Sequence, residues 1–287
     1  MGKLKAALVS IAINVTLLIS KVGVAVITGS VGIFAEAIHS SFDLISSVLA
    51  YFGIKKAEEP DDTSHHYGHD KFENLSSLLQ ALLITGTSFF VMFEAYHKFI
   101  KPLPVENSEI GIILMAITIP VTFFTARYLS AAAKKDGGSH ALEADSAHFT
   151  TDVIGSVAVL LGLLMVKIGL PWGDPLAALI VGLVMLYISY DIGTRAFYVF
   201  MDFSPDKKKI AKIKKVLDNA RRKKKISAYH KLRARMAGSK ILLEFHILVN
   251  KNLDVTSAHK ISSEIKHEIK IAVPEVKEAT IHIEPDS

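Results

Sequence analysis

The sequence predicts an all-α six-helix transmembrane bundle, residues 1–204, followed by a small cytoplasmic α+β domain, residues 205–287. Three observations carry that prediction. Half of the 287 residues are hydrophobic and the mean hydropathy is +0.35, high for a water-soluble chain. The apolar residues gather into six runs of bilayer-spanning length, about 5–28, 31–53, 75–99, 108–131, 141–168 and 175–200. From residue 205 onward charged and apolar residues mix, and no run is long enough to span.

The first run is too long for a signal-peptide core and has no small-x-small cleavage pattern after it, so it reads as the first membrane helix. Pro60 ends the second helix, and Gly68 permits a tight turn before the third. If the helices alternate, Lys3, Lys5, Lys55, Lys56, Lys71, Lys134, Lys135 and the Lys-rich stretch after 206 share one side. The other side has only short links near 29–30, 101–107 and 169–174, with Lys101 as its main cation. An excess of Lys and Arg marks the cytoplasmic side, so both termini are expected there.

The tail alternates between two periods. A helical pattern (Ile210, Ile213, Val216, Leu217) precedes a strand-like stretch at 226–238. In 239–250 the residues Ile241, Leu243, Phe245, Ile247 and Val249 take every second position, as in a strand with one buried face. Ala258, Ile261, Ile265, Ile269 and Ala272 then follow helical spacing, and 276–285 reads as a last strand. The order αββαβ fits a sheet with both helices on one face. The basic run "RRKKK" at 221–225 reads first as a solvated helix end, second as a contact for anionic lipid headgroups, and last as a nucleic-acid site.

Within the bundle, "AEAIHSSFDLISSV" (35–48) and "ADSAHFTTDVIGSV" (144–157) share the frame A-[ED]-x-x-H-x-x-x-D-[LV]-I-x-S-V. An Asp at mid-membrane costs roughly 2.5–3.5 kcal/mol on the insertion scale, so a repeated His/Asp pair marks function. Residues four apart lie on one helix face, one turn from each other. His39 and Asp43 therefore point one way on the second helix, as do His148 and Asp152 on the fifth. Facing each other, they supply two imidazoles and two carboxylates, a tetrahedral set of the kind zinc accepts. The competing reading is a His–Asp hydrogen bond that only holds the bundle together. Glu36 and Asp145, each three residues before a His, fit orienting partners, proton carriers or surface groups; Asn14, Glu94, Asp174 and Asp191 fit helix-end or packing roles.

Two further histidine groups stand outside the helices. The loop 58–75 holds Asp61, Asp62, His65, His66 and His69, a metal-binding composition in a turn. In the tail, His246 and Glu244 share a strand face, as do His282 and Glu284, on the side away from the apolar residues. His230 and His259 complete the expected surface imidazoles. The chain has no cysteine, so any metal must be held by His, Asp and Glu.

Taken in order, these features resemble the cation diffusion facilitator family: six helices, HxxxD on the second and fifth, the His/Asp loop, "DPLAALIVG" opening the sixth and the αββαβ tail. The resemblance implies a ferredoxin-like tail and a homodimer that exports divalent cations in exchange for protons. It places His39, Asp43, His148 and Asp152 on the family's transport site. Asp62, His65 and His69 fall on a second site, with His66 an alternative to His65. His230, His246, His259, His282 and Glu284 fall on a binuclear cytoplasmic site, whose last ligand is often Asp in relatives. Lys71 and Asp202 match a charge pair near the dimer mate.

A His/carboxylate site favours Zn²⁺, with Cd²⁺ close and Fe²⁺, Co²⁺ or Mn²⁺ as other cargoes. Ion exchange needs no covalent step, so the expectation is a transporter and not an enzyme. The HExxH pattern of zinc proteases is absent. A membrane metal sensor whose tail signals is the other reading, and it leaves both HxxxD pairs without a role. With no organelle address visible, the expected location is a bacterial or archaeal plasma membrane.

Overall fold

The computed structural model describes residues 2–28, 31–100, 108–135, 138–167, 170 and 172–286. They form two compact units, Met1–Phe197 and Tyr198–Ser287. That division falls a little before the boundary expected at 204, because the link after the sixth helix is bonded to the sheet. Met236 N donates to Phe203 O at 3.3 Å, and Arg235 pairs with Asp202 at 3.2 Å.

The first unit is built from α1 (Lys3–Thr28), α2 (Val31–Ala57), α3 (Phe72–Ile100), α4 (Ser108–Ala133), α5 (His140–Lys167) and α6 (Gly173–Phe200). Its polarity is reversed relative to a water-soluble protein. Phe89, Phe90, Phe93, Phe124, Leu183 and Tyr190 are exposed, whereas Ser10, Asn14, Asp43, Ser47, Gln80, Asp145 and His148 are buried. An apolar exterior around polar helix contacts is what hydrocarbon demands of a bundle. Among the described residues, Lys3–Val24, Phe72–Ile100 and Pro175–Phe200 are long and apolar enough to cross a membrane.

Small and hydroxyl side chains set the helix spacing. A Cβ on Gly53 would lie 2.4 Å from Ser76 Cβ, so α2 and α3 meet as closely as they do only with glycine there. Gly182 is similarly closed in by Met92, and its carbonyl accepts a 2.6 Å bond from Ser88 Oγ. Ser76 Oγ donates to Leu49 O at 2.7 Å, and Ser146 Oγ to Ala126 O at 2.9 Å. Glu73 is buried on α3 and accepts from His140 N (3.0 Å) at the start of α5, where a carboxylate suits the helix dipole. It also receives Lys3 Nζ of α1 at 3.4 Å.

The second unit follows the order α7 (Lys207–Arg222), β1 (Ala228–Ala237), β2 (Lys240–Val249), α8 (Val255–Ala272) and β3 (Val276–Pro285). Asp206 caps α7 by accepting from Lys208 N at 2.8 Å, and Asp254 caps α8 by accepting from Ser257 N at 2.7 Å. The sheet order is β1-β2-β3, with β1–β2 antiparallel and β2–β3 parallel. Ile213 and Leu217 of α7 and Ile265 and Ile269 of α8 close over Leu243, Phe245 and Ile247. Burying one such side chain gains about 1.5–3 kcal/mol, which fixes both helices on this face and leaves the other for polar groups.

Candidate metal centres

On α2 and α5 the two copies of the frame converge. Ligand atoms of His39, Asp43 and Asp152 all lie within 4.8 Å of one another. His39 Nε2 is 3.7 Å from Asp43 Oδ1 and 3.9 Å from Asp152 Oδ1. His148 joins through Asp43: its Nε2 donates to Asp43 Oδ1 at 2.9 Å. Two buried atoms here, Asp152 Oδ1 and His148 Nδ1, have no hydrogen-bond partner among the described residues. A buried carboxylate oxygen with nothing to accept from is costly unless a cation meets it.

A polar network from α1 braces this site. Asn14 Nδ2 donates to Asp43 O at 3.2 Å and to Ser47 Oγ at 2.8 Å. Ser47 Oγ donates to Asp145 Oδ1 at 2.9 Å, and Ser10 Oγ lies 2.6 Å from Ser47 Oγ. Asn14 and Asp145 were weak signals in the sequence, Ser47 was a letter shared by the two frames with no role read into it, and Ser10 gave none. Lys21, buried on α1 within electrostatic reach of Asp43, also escaped the sequence reading. Glu94 pairs with Lys98 at 3.6 Å and Asp191 with Arg195 at 2.6 Å, both one helical turn apart. The side chains of Glu36 and Asp174, and Lys101, lie outside the described residues.

In the 58–75 loop, Asp62, His65 and His69 come together and His66 stays outside the group. Asp62 Oδ1 accepts from the backbone N–H of Ser64 (2.8 Å) and of His65 (2.6 Å), which holds its carboxyl below the usual carboxylate range. His69 Nδ1 donates to Pro60 O at 3.0 Å. In the neutral ring that bond leaves the lone pair on Nε2, the arrangement a metal-ligating histidine uses. His69 Nε2 is buried without a hydrogen-bond partner, 3.4 Å from Asp62 Oδ2. The donor set fits a metal ion.

The third group sits on the outer face of the sheet. Register pairs His230 with His246 and His246 with His282, so three imidazoles form one row across β1, β2 and β3. A bulge follows His230, where Lys231 takes φ 49°. Glu284, two residues beyond His282 on the same face, accepts from His246 Nδ1 at 2.6 Å and lies 3.0 Å from His230 Nε2. The His246 hydrogen bond, aided by the charges of His230, His246 and Lys231, holds the Glu284 carboxyl below its ordinary value. His230, His246 and Glu284 meet the spacing of a metal site, and His282 Nε2 is 3.7 Å from Glu284 Oε1. His259, exposed on α8, is not part of the group; its Nε2 is 3.4 Å from Ser263 Oγ. Asp202 pairs with Arg235 of its own chain, and Lys71 lies in the other unit.

Residues 7–201 match the cation efflux transmembrane domain, and residues 205–286 match the cation efflux protein cytoplasmic domain. The chain belongs to the cation diffusion facilitator family. It is a membrane transporter family, so cation transport and not catalysis is its business. The cation-efflux pump FieF of Shewanella oneidensis is 30% identical over 276 residues, covering 96% of this chain and 92% of the relative. An uncharacterised transporter of Methanocaldococcus jannaschii is 30% identical over 98% of this chain and 97% of its own length. A solved chain of CzrB is 30% identical over 29% of this chain and 100% of its own, with a TM-score of 0.28.

Proposed function

We propose that the chain exports Zn²⁺ across a plasma membrane in exchange for protons, with His39, Asp43, His148 and Asp152 as the transport site. The observation that carries this reading is the convergence of α2 and α5 on one point, with ligand atoms within 4.8 Å and a buried, unpartnered Asp152 oxygen. All six helices cross the bilayer in this reading, both termini lie in the cytoplasm, and the protein works as a homodimer. Lys71 and Asp202 would help to set that dimer.

The chemistry of exchange follows from the ligands. Two carboxylates in a low-dielectric interior require a compensating charge, and either a metal ion or protons supply it. Metal at His148 Nε2 displaces the hydrogen that this nitrogen donates to Asp43, and from the doubly protonated ring that hydrogen leaves as H⁺ while Nδ1 keeps its own. Loading metal thus releases a proton, and protons entering from the far side release the metal. Two imidazoles with two carboxylates favour Zn²⁺; Cd²⁺ follows closely, and Fe²⁺, Co²⁺ and Mn²⁺ are weaker cargoes. The loop group lies between α2 and α3 and the sheet group in the second unit, both off the six helices, so they are assigned to regulation or structure, with metal on the sheet raising dimer stability.

Reconstituted vesicles test the exchange. With an acidic lumen, Zn²⁺ should enter rapidly and the lumen should lose protons in step. Uptake that ignores the gradient, and continues after an ionophore collapses it, would contradict antiport.

A further inference from the structure

Six of the eight cations of α7 form adjacent pairs spaced seven residues apart, Lys207-Lys208, Lys214-Lys215 and Arg221-Arg222, and Lys209 and Lys212 are the other two. Seven residues are nearly two helical turns, so the pairs stack on one face about 10.5 Å apart. All six side chains are exposed. The opposite face carries Ile213, Leu217 and Ala220 into the core, so the helix has no freedom to turn its basic side inward.

Little inside the fold neutralises this stripe. Lys209 pairs with Glu275 at 3.2 Å, toward the inner margin of the helix. Asp218 is the one acid of α7, and one of its oxygens accepts from Tyr229 Oη at 2.9 Å. Among the described residues, none of the three pairs forms an ion pair with a carboxylate. Lys208, Lys212 and Lys215 follow one another at four- and three-residue spacing, where like charges repel, and an external polyanion relieves that repulsion.

We propose that the outer face of α7 binds the anionic headgroup surface of the leaflet from which α6 emerges. The choice of a lipid surface over other polyanions comes from tethering. Only residues 201–206 separate α6 from α7, a reach of about 25 Å at full extension. A straight stripe of cations about 24 Å long, tied that closely to a membrane helix, matches a flat, charged plane. This inference rests on α6 crossing the bilayer, as proposed above, but not on transport: an inert transporter would still bind headgroups.

The test uses the full-length protein in nanodiscs, either zwitterionic or rich in phosphatidylglycerol, with amine labelling of each lysine read by mass spectrometry. Labelling of Lys207, Lys208, Lys214 and Lys215 should fall at least about threefold in the anionic discs and recover in high salt, where screening shortens to a few ångströms. Lys260 and Lys270, exposed on α8, should not change. The surface double variant Lys214→Gln, Lys215→Gln, which leaves the core intact, should restore labelling at Lys207 and Lys208. Equal labelling in both discs, or equal protection of α8, overturns the proposal. So does equal protection of α7 by a short oligonucleotide added to zwitterionic discs.

Discussion

The pairs on α2 and α5 and the histidine row on the sheet use the same ligand chemistry in opposite settings. In the bundle the Asp43 and His148 side chains are 7% and 1% exposed, and they hang on separate helices. On the sheet the His230 and His282 side chains are 45% and 63% exposed, and backbone register holds them in line. A buried site on two helices can be taken apart by relative helix motion, and each change of its charge is felt strongly. A site on one sheet stays assembled and is screened by water. On that difference rests our proposal that the first moves ions and the second retains them.

Predictions that separate the two begin with ligand removal. His148→Ala or Asp152→Ala should reduce vesicle Zn²⁺ uptake to background, whereas His246→Ala should leave substantial uptake; equal loss in both would erase the distinction. Next in size is the brace around the buried site. Ser47→Ala or Asn14→Leu should weaken the apparent affinity for transported zinc about tenfold, the scale expected for groups that orient ligands, with maximal flux retained. His39→Asp should then shift selectivity, lowering the preference for Zn²⁺ over Mn²⁺ in competition assays by making the site harder.

The sheet site should show itself in stability instead. Zinc at one hundred times its dissociation constant should stabilise the full-length protein by about 2.7 kcal/mol, and His246→Ala should remove most of that gain. A smaller effect concerns acid. The Glu284 carboxyl is held below its ordinary value in the folded protein by His246, so its contribution is present above the unfolded value, about 4.3. It is lost as pH falls through the lower folded value. Without zinc, Glu284→Gln should therefore melt slightly below the wild type at neutral pH, and the two melting curves should converge toward pH 3. A gap that widened in acid would reverse the sign of this argument.

Much of this arrangement was legible in the sequence, and what escaped did so for identifiable reasons. The HxxxD pairs stood out because ionisable residues are costly in an apolar run and the frame occurs twice. Helix ends were less legible: the run at 31–53 became a helix to Ala57, because Lys55 and Lys56 continue the helix beyond its hydrocarbon part. Alternation put His246 and His282 on the outer face, yet only strand register puts them side by side with His230. His65 and His66 are adjacent in sequence, and the choice between them needed the turn built on Asp62. Ser10 gave no signal, and Ser47, though a shared letter of the frame, passed for one more serine of a helix contact; their role appears only with Asp145 and Asn14 beside them.

The central claim is that one ion is held jointly by α2 and α5. Zinc K-edge X-ray absorption on full-length protein lacking the other two groups, through His65→Ala, His69→Ala, His230→Ala and His246→Ala, addresses it directly. The account predicts one retained zinc in a four-coordinate shell of two nitrogens and two oxygens at about 2.0–2.2 Å, lost on adding Asp152→Ala. No retained zinc, or a shell without histidine nitrogen, would contradict it.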